Sequence, residues 1–319
     1  MSVTATVTDT TSCGTVAPSP VWRRWLVCVA PFVITGSVIA AILYKYPVNE
    51  IRRQLTGGDP LPAIPIALIG VIFTLLLVAW ADQLVVRGAC ASTRYWHVLK
   101  AKAGSSLLDI FGYVAGHGAY AVWIGRFTRT RAGLAGGAML YIAAADLLSV
   151  CTVASVALFF TGDVVPHTVH IIAGTVALVL CLFLVLGPYQ LFGRFSFFEP
   201  WALIPRRVGF AQVGLRIAQV VVWVCTTWIA ARVFGLDIPL WAMATYFPII
   251  MLVGALPINV AGFGAVQGAW LLLTDFAPGA QILAFQLVWT VFVAGAVVLR
   301  GLPFVRGFVR EIDRAPETL

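Results

Sequence analysis

Eight stretches of the chain, 25–44, 62–86, 105–125, 133–160, 166–187, 208–234, 240–274 and 280–299, are apolar over roughly a membrane-crossing length. A helix needs about 20 such residues to traverse the hydrocarbon core. In lipid the backbone has no water to bond, so each stretch is expected to be helical. Composition agrees: 61% of the 319 residues are hydrophobic and 11% are charged, against about 45–50% and about 25% in soluble domains. Too few charged side chains remain to clothe a soluble protein of this size. The chain is therefore expected to be an all-α polytopic membrane protein. Cytosolic dinucleotide enzymes, secreted disulfide scaffolds and nucleic-acid modules are excluded.

Two stretches differ from the rest. Residues 105–125 carry Asp109, His117 and the glycines 112, 116, 118 and 125, while 240–274 is too long for one comfortable span and is interrupted at LPINVAGFG, 256–264. The positive-inside rule tests them. If all eight stretches cross, Lys and Arg divide almost evenly between the two sides. If 105–125 and 240–274 each dip in and return, the basic residues fall strongly on one side, and both termini with them. This reading expects six full spans plus two oppositely oriented re-entrant helical hairpins, a pattern that suggests an inverted repeat with a site near the midplane. Residues 1–20 read as a disordered tail and 21–299 as a single membrane domain that begins with an uncleaved span. The basic tail 300–319 reads as a short helix along the inner leaflet, as its spaced arginines suit anionic headgroups.

Several residues are candidates for binding. Pro257, Gly262 and Gly264 interrupt the long stretch, leaving backbone groups for protein, water or a ligand to satisfy. A half-helix starting near Gly264 would aim a positive end at an anion, with Asn259 and Gln267 adding hydrogen bonds; a plain kink packed in the bundle explains the same residues. Arg216 lies well inside 208–234, where an unpaired charge costs several kcal/mol. Its partner is a lipid phosphate or one of Asp82, Asp109 and Asp146. Asp146 sits mid-stretch and invites the same reading, whereas Asp82 is nearer a span end and reads as interfacial. His117, between Gly116 and Gly118, either takes a proton, meets a headgroup phosphate or bonds a neighbouring helix.

Other chemistry is not expected. The chain has no P-loop, GxSxG or HExxH pattern, so nucleotide-driven work and the corresponding hydrolytic centres are not anticipated. His167, His170 and Asp163 lack a fourth ligand at useful spacing, and the six scattered cysteines have no metal or redox spacing, so no metal or cofactor is expected. The net charge of +8 is better placed against headgroups than nucleic acid.

The run LPINVAGFGAVQGAW, 256–270, resembles the signature of the lysylphosphatidylglycerol synthase transmembrane-region family, a flippase-like module that also occurs alone in bacteria and archaea. Leu256, Pro257, Gly262 and Gly264 match in register, and Gln267 stands where the family usually has an acid. Residues 102–149 resemble that family's weakly apolar re-entrant segment, although Gly112, Gly116, His117 and Gly118 replace its Asn, Pro and Gly-rich stretch. The resemblance implies a bacterial cytoplasmic-membrane protein that moves or binds a lipid with a large polar headgroup. The aminoacyl-transferring soluble domain of the fused members is missing, so no enzyme activity is expected.

Translocation of a phosphate-containing lipid is thus the leading expectation. Arg216, Asn259, Gly262 and Gly264 would hold the phosphate, and Asp109, His117, Asp146 and Gln267 would line the path. Two alternatives remain open: an accessory lipid-binding subunit for a membrane glycosyltransferase or another lipid-modifying partner enzyme, and a secondary transporter of a small solute or ion.

Overall fold

The structure is a computed structural model that describes residues 33, 35–56, 61–90, 92–109, 113–158, 160, 174–176, 178–179, 196–255 and 264–314. All its regular elements there are helical. The first are α1 (Thr35–Lys45), α2 (Val48–Thr56), α3 (Ala63–Ala89), α4 (Tyr95–Asp109), α5 (Tyr113–Thr128) and α6 (Ala132–Leu158). The second group is α7 (Glu199–Leu203), α8 (Arg206–Val233), α9 (Leu240–Ala255), α10 (Ala265–Trp270) and α11 (Gly279–Arg314). Single 3-10 turns precede α7 and follow α10.

The expectation of eight hydrophobic segments is overturned. Among the described residues four helices are long and apolar enough to cross a membrane: α3, α6, α8 and Gly279–Glu311 of α11. The layout of six spans with two re-entrant hairpins, and the inverted repeat drawn from it, falls with that count. The cause is physical. A hydropathy window measures apolar length, not helix continuity, and both unusual stretches are shared between shorter helices. Thus α4 begins at Tyr95, ten residues before the stretch at 105–125, and stops at Asp109, while α9 and α10 divide 240–274. The stretch 25–44 contributes only the short helix α1, and 166–187 lies almost wholly outside the described residues. Two basic residues counted as outside the spans also belong elsewhere. Lys102 is buried within α4, and Arg300 lies within the spanning part of α11, which runs unbroken from Gly279 to Arg314.

Small residues bring the long helices together. Gly70 of α3 lies against Thr226 of α8, where an added Cβ would approach the threonine methyl at 2.9 Å. Further along, Asp82 meets Arg216 and Gly88 meets Ile204, so the two helices run antiparallel. The α4–α11 contact is built similarly: Gly301 approaches the Ala103 carbonyl, and Gly104 approaches Phe308. The outer face of α3 is apolar, with Ile69, Phe73, Leu76 and Trp80 exposed at helical spacing. An exposed apolar stripe of that length suits lipid rather than water.

Two apolar cores result. One gathers Val220, Phe247, Trp270, Phe285 and Trp289, and the other gathers Leu75, Val98, Tyr120, Trp123, Ile142 and Phe308. On α6 the second core ends at Ile142 and the first resumes at Val150, so Asp146 falls between them. On α8 Arg216 precedes the first buried core residue, Val220, and on α11 Arg300 lies between Trp289 and Phe308. Asp146, Arg216 and Arg300 thus mark a polar waist between the two cores, and Asp82 and Lys102 join it from within the second.

Candidate functional site

Four helices supply the waist. The Arg216 guanidinium of α8 is bonded to Asp82 of α3 and reaches Asp146 of α6 at 2.7 Å. Its Nη1 also donates to Gln219 Oε1 at 3.1 Å. Lys102 of α4 approaches the second Asp82 oxygen at 3.8 Å, and its ammonium lies 4.9 Å from the Tyr120 ring centre on α5. Side-chain exposure is 0% for Asp82, 3% for Arg216 and 9% for Lys102, but 22% for Asp146. Two carboxylates and two cations are thus collected with no net charge, which is how a buried ionic group survives in a low-dielectric interior. One turn before Arg216, Gln212 is fully buried and its amide nitrogen and oxygen have no hydrogen-bond partner among the described residues. The Tyr120 hydroxyl, also fully buried, lies beside Asp82. Leaving such groups unbonded costs about 1–3 kcal/mol each, so their retention beside the ion network is informative.

Aromatic stacking ties the network to the basic end of the molecule. Tyr120 stacks on Trp123 at 5.7 Å and Trp123 on Phe127 at 4.8 Å, while the Trp123 indole donates to Glu311 at 2.7 Å. The α3–α4 connection is held by Gln83 donating to the Thr93 carbonyl and Tyr95 to the Leu76 carbonyl, each at 3.1 Å.

Beside the waist lies an open-sided cavity of about 370 Å³. Its walls are mostly aromatic and aliphatic, including Trp223, Phe247, Met251, Trp270 and Trp289. Polar groups gather on a few positions: Ser106 and Asp109 from α4, Thr290 and Arg300 from α11. Arg300 donates to the Val71 carbonyl and has Asp109 as an electrostatic neighbour, and its Nε has no hydrogen-bond partner among the described residues. His117 Nδ1 stands 3.6 Å from Asp109. Gly116 packs directly under that carboxylate, where a Cβ would collide with it; around Gly118 there is open space. A volume at the low end of the usual ligand-pocket range takes a small molecule or one part of a larger one.

The expected site residues are therefore divided. Asp109 and His117 lie at the cavity's polar group, Arg216 and Asp146 in the ion network, and Gln267 elsewhere. Gln267 Oε1 accepts from the Gly264 amide, closing the first turn of α10, and Gly264 has φ +124°, a conformation suited to glycine. At six residues α10 is too short to carry much helix field. Pro257, Asn259 and Gly262 lie outside the described residues.

Sequence reasoning missed Lys102, Tyr120, Gln212 and Arg300, and placed Asp82 at an interface when it is fully buried. A signal for Lys102 was present: it sits in AKAGSS, 101–106, where small neighbours permit close helix packing unlike a solvated loop. Among the described residues no three His, Cys, Asp or Glu are grouped to hold a metal ion. No family model matches the chain, and no curated protein matches it. On its own structure the chain is an all-α, multi-pass membrane protein with several long hydrophobic helices, an architecture compatible with transport of a lipid or solute.

Proposed function

We propose that the chain moves a phosphate-containing lipid between the leaflets of the cytoplasmic membrane. The observation that carries this reading is the open-sided aromatic cavity with Arg300 and Asp109 among its lining residues. An amphipathic ligand needs that combination: cationic and hydrogen-bonding groups for the headgroup, apolar walls for the first methylenes, and an exit for the chains. Arg300 is the cation assigned to the phosphate, with Ser106 and Thr290 beside it. Arg216, already engaged by two carboxylates, supports the site from the waist, together with Asp146. The resemblance at 256–270 favours a lipid over a compact solute. Arg87, Arg94, Arg126, Arg129, Arg131, Arg206 and Arg207 belong to one end of the helix bundle, where Gly88 meets Ile204. The positive-inside rule makes that end, and the α11 C-terminus beside Trp123, cytoplasmic.

The test is exchange of labelled phospholipid in sealed liposomes containing the purified protein. Exchange that falls several-fold in Arg300→Ala and Asp109→Asn, with vesicles still tight to a soluble dye, is the expected result. Absence of exchange in every lipid mixture and under any imposed gradient overturns translocation. A lipid that then co-purifies stoichiometrically assigns the cavity to accessory lipid holding.

A further inference from the structure

The ion network contains one member unlike the others. Asp82 receives both Arg216 and Lys102 and is wholly enclosed, whereas Asp146 shares one guanidinium and retains 22% of its side-chain exposure. A proton added to Asp146 breaks one contact only and leaves both cations to Asp82. A proton added to Asp82 breaks contacts to both cations and leaves the buried Lys102 with no carboxylate of its own. The geometry points to Asp146 as a proton-binding site whose protonation parts Arg216 from Asp146 and reshapes the neighbouring cavity. The step is a single transfer: hydronium gives its proton to an Asp146 oxygen and leaves as water, the ion pair to Arg216 Nη1 opens, and the guanidinium stays on Asp82.

Among the described residues the charged groups near Asp146 fit this assignment. Arg216 faces it from α8, Asp82 from α3, Lys102 from α4 and His117 from α5. The packed helix α9 carries no charged residue, and Glu199 of α7 belongs to the region where Gly137 of α6 meets Pro200. Independent support comes from the unpartnered amide of Gln212, fully buried one turn before Arg216, and from the fully buried Tyr120 hydroxyl beside Asp82. Such groups can order water or pass a proton where an apolar side chain could not. Two helices connect the proton site mechanically to the cavity. Lys102 and Asp109 are separated by two turns of α4, and Arg216 and Trp223 by two turns of α8, a rise of about 10 Å in each case. A shift of either helix when Arg216 parts from Asp146 moves cavity walls directly. The cargo of the cavity rests on the reading above; the proton site does not.

Two measurements on the purified full chain test this. Infrared difference spectra between neutral and mildly acidic samples should contain a protonated-carboxyl band that disappears in Asp146→Asn and persists in Asp109→Asn. If the Asn variant does not survive purification, Asp146→Glu should displace the band. In parallel, quenching of Trp223 by brominated lipid, taken as the signal lost in Trp223→Phe, should change severalfold with pH in the native chain and stay constant in Asp146→Asn. A band untouched by both Asp146 variants overturns the proton site. Quenching that is independent of pH, or that follows pH equally in Asp146→Asn, overturns its control of the cavity. Neither readout requires lipid to move, so failure of lipid exchange counts against the translocation reading alone.

Discussion

Replacing Arg216 by Met removes the cation shared by two carboxylates while leaving its packing volume nearly filled. At 2.7 Å from Asp146, with an effective dielectric near 20, the gross attraction is about 6 kcal/mol. The Asp82 contact is closer still. Lys102, at 3.8 Å from Asp82, contributes about 4 kcal/mol gross on the same basis. Desolvation offsets much of both, but the carboxylates stay buried when a cation is deleted, and breaking a buried pair costs about 3–5 kcal/mol. Arg216→Met should therefore lie at or above the top of that range and Lys102→Met near its bottom. The difference is read by thermal unfolding in detergent, where a loss of this size lowers Tm by on the order of 10 °C. The charge-balanced pair Asp146→Asn with Arg216→Gln should recover more than half of the Arg216→Met loss, since Asp82 then keeps Lys102 and no carboxylate is left without its cation. The reasoning is refuted if Arg216→Met unfolds no earlier than Lys102→Met, or if the double variant is the least stable of the three.

Three further outcomes follow from packing. Gly301→Ala drives a Cβ to 2.8 Å from the Ala103 carbonyl, whereas Gly295→Ala meets nothing within 4 Å; the first should lose about 1–3 kcal/mol and the second should gain up to about 1 kcal/mol in the same unfolding assay. Gly264→Ala places a side chain at φ +124° and should cost about 1–3 kcal/mol, while Gly268→Ala, with its nearest neighbour at 3.9 Å, should be almost silent. Single cysteines at Thr130 and Arg206 should react with an impermeant thiol reagent from the same, cytoplasmic side, because Thr130 lies by Cys90 and Gly88 by Ile204; labelling from opposite sides would break the α3–α8 seam.

How much of this was legible in the chain depends on whether the information is local. Membrane class is local, since apolar length and missing surface charge are sums over residues, and 62–86, 133–160 and 208–234 correspond closely to α3, α6 and α8. Helix continuity is not. Tyr95–Asp109 carries Lys100 and Lys102 and so fails a hydropathy test, yet eight of its residues are buried because α11 and α5 cover them. Counting those lysines as loop charges and dividing 105–125 from its own helix were one error with two effects.

The site shows the same division. The depth of Arg216 in an apolar stretch already required a partner, and two of the three aspartates considered supply it. Which two, and why Asp82 is the enclosed one, follows from the antiparallel α3–α8 seam that Gly70 and Thr226 permit, a long-range fact no window contains. Asp82 appears close to a span end only when α3 is viewed alone; α4 and α5 pack over that end and take it out of water. The ion network is therefore a product of the short helices as much as of the long ones. Because α4 carries Lys102 to the network and Asp109 to the cavity, any rearrangement that frees one must be felt by the other.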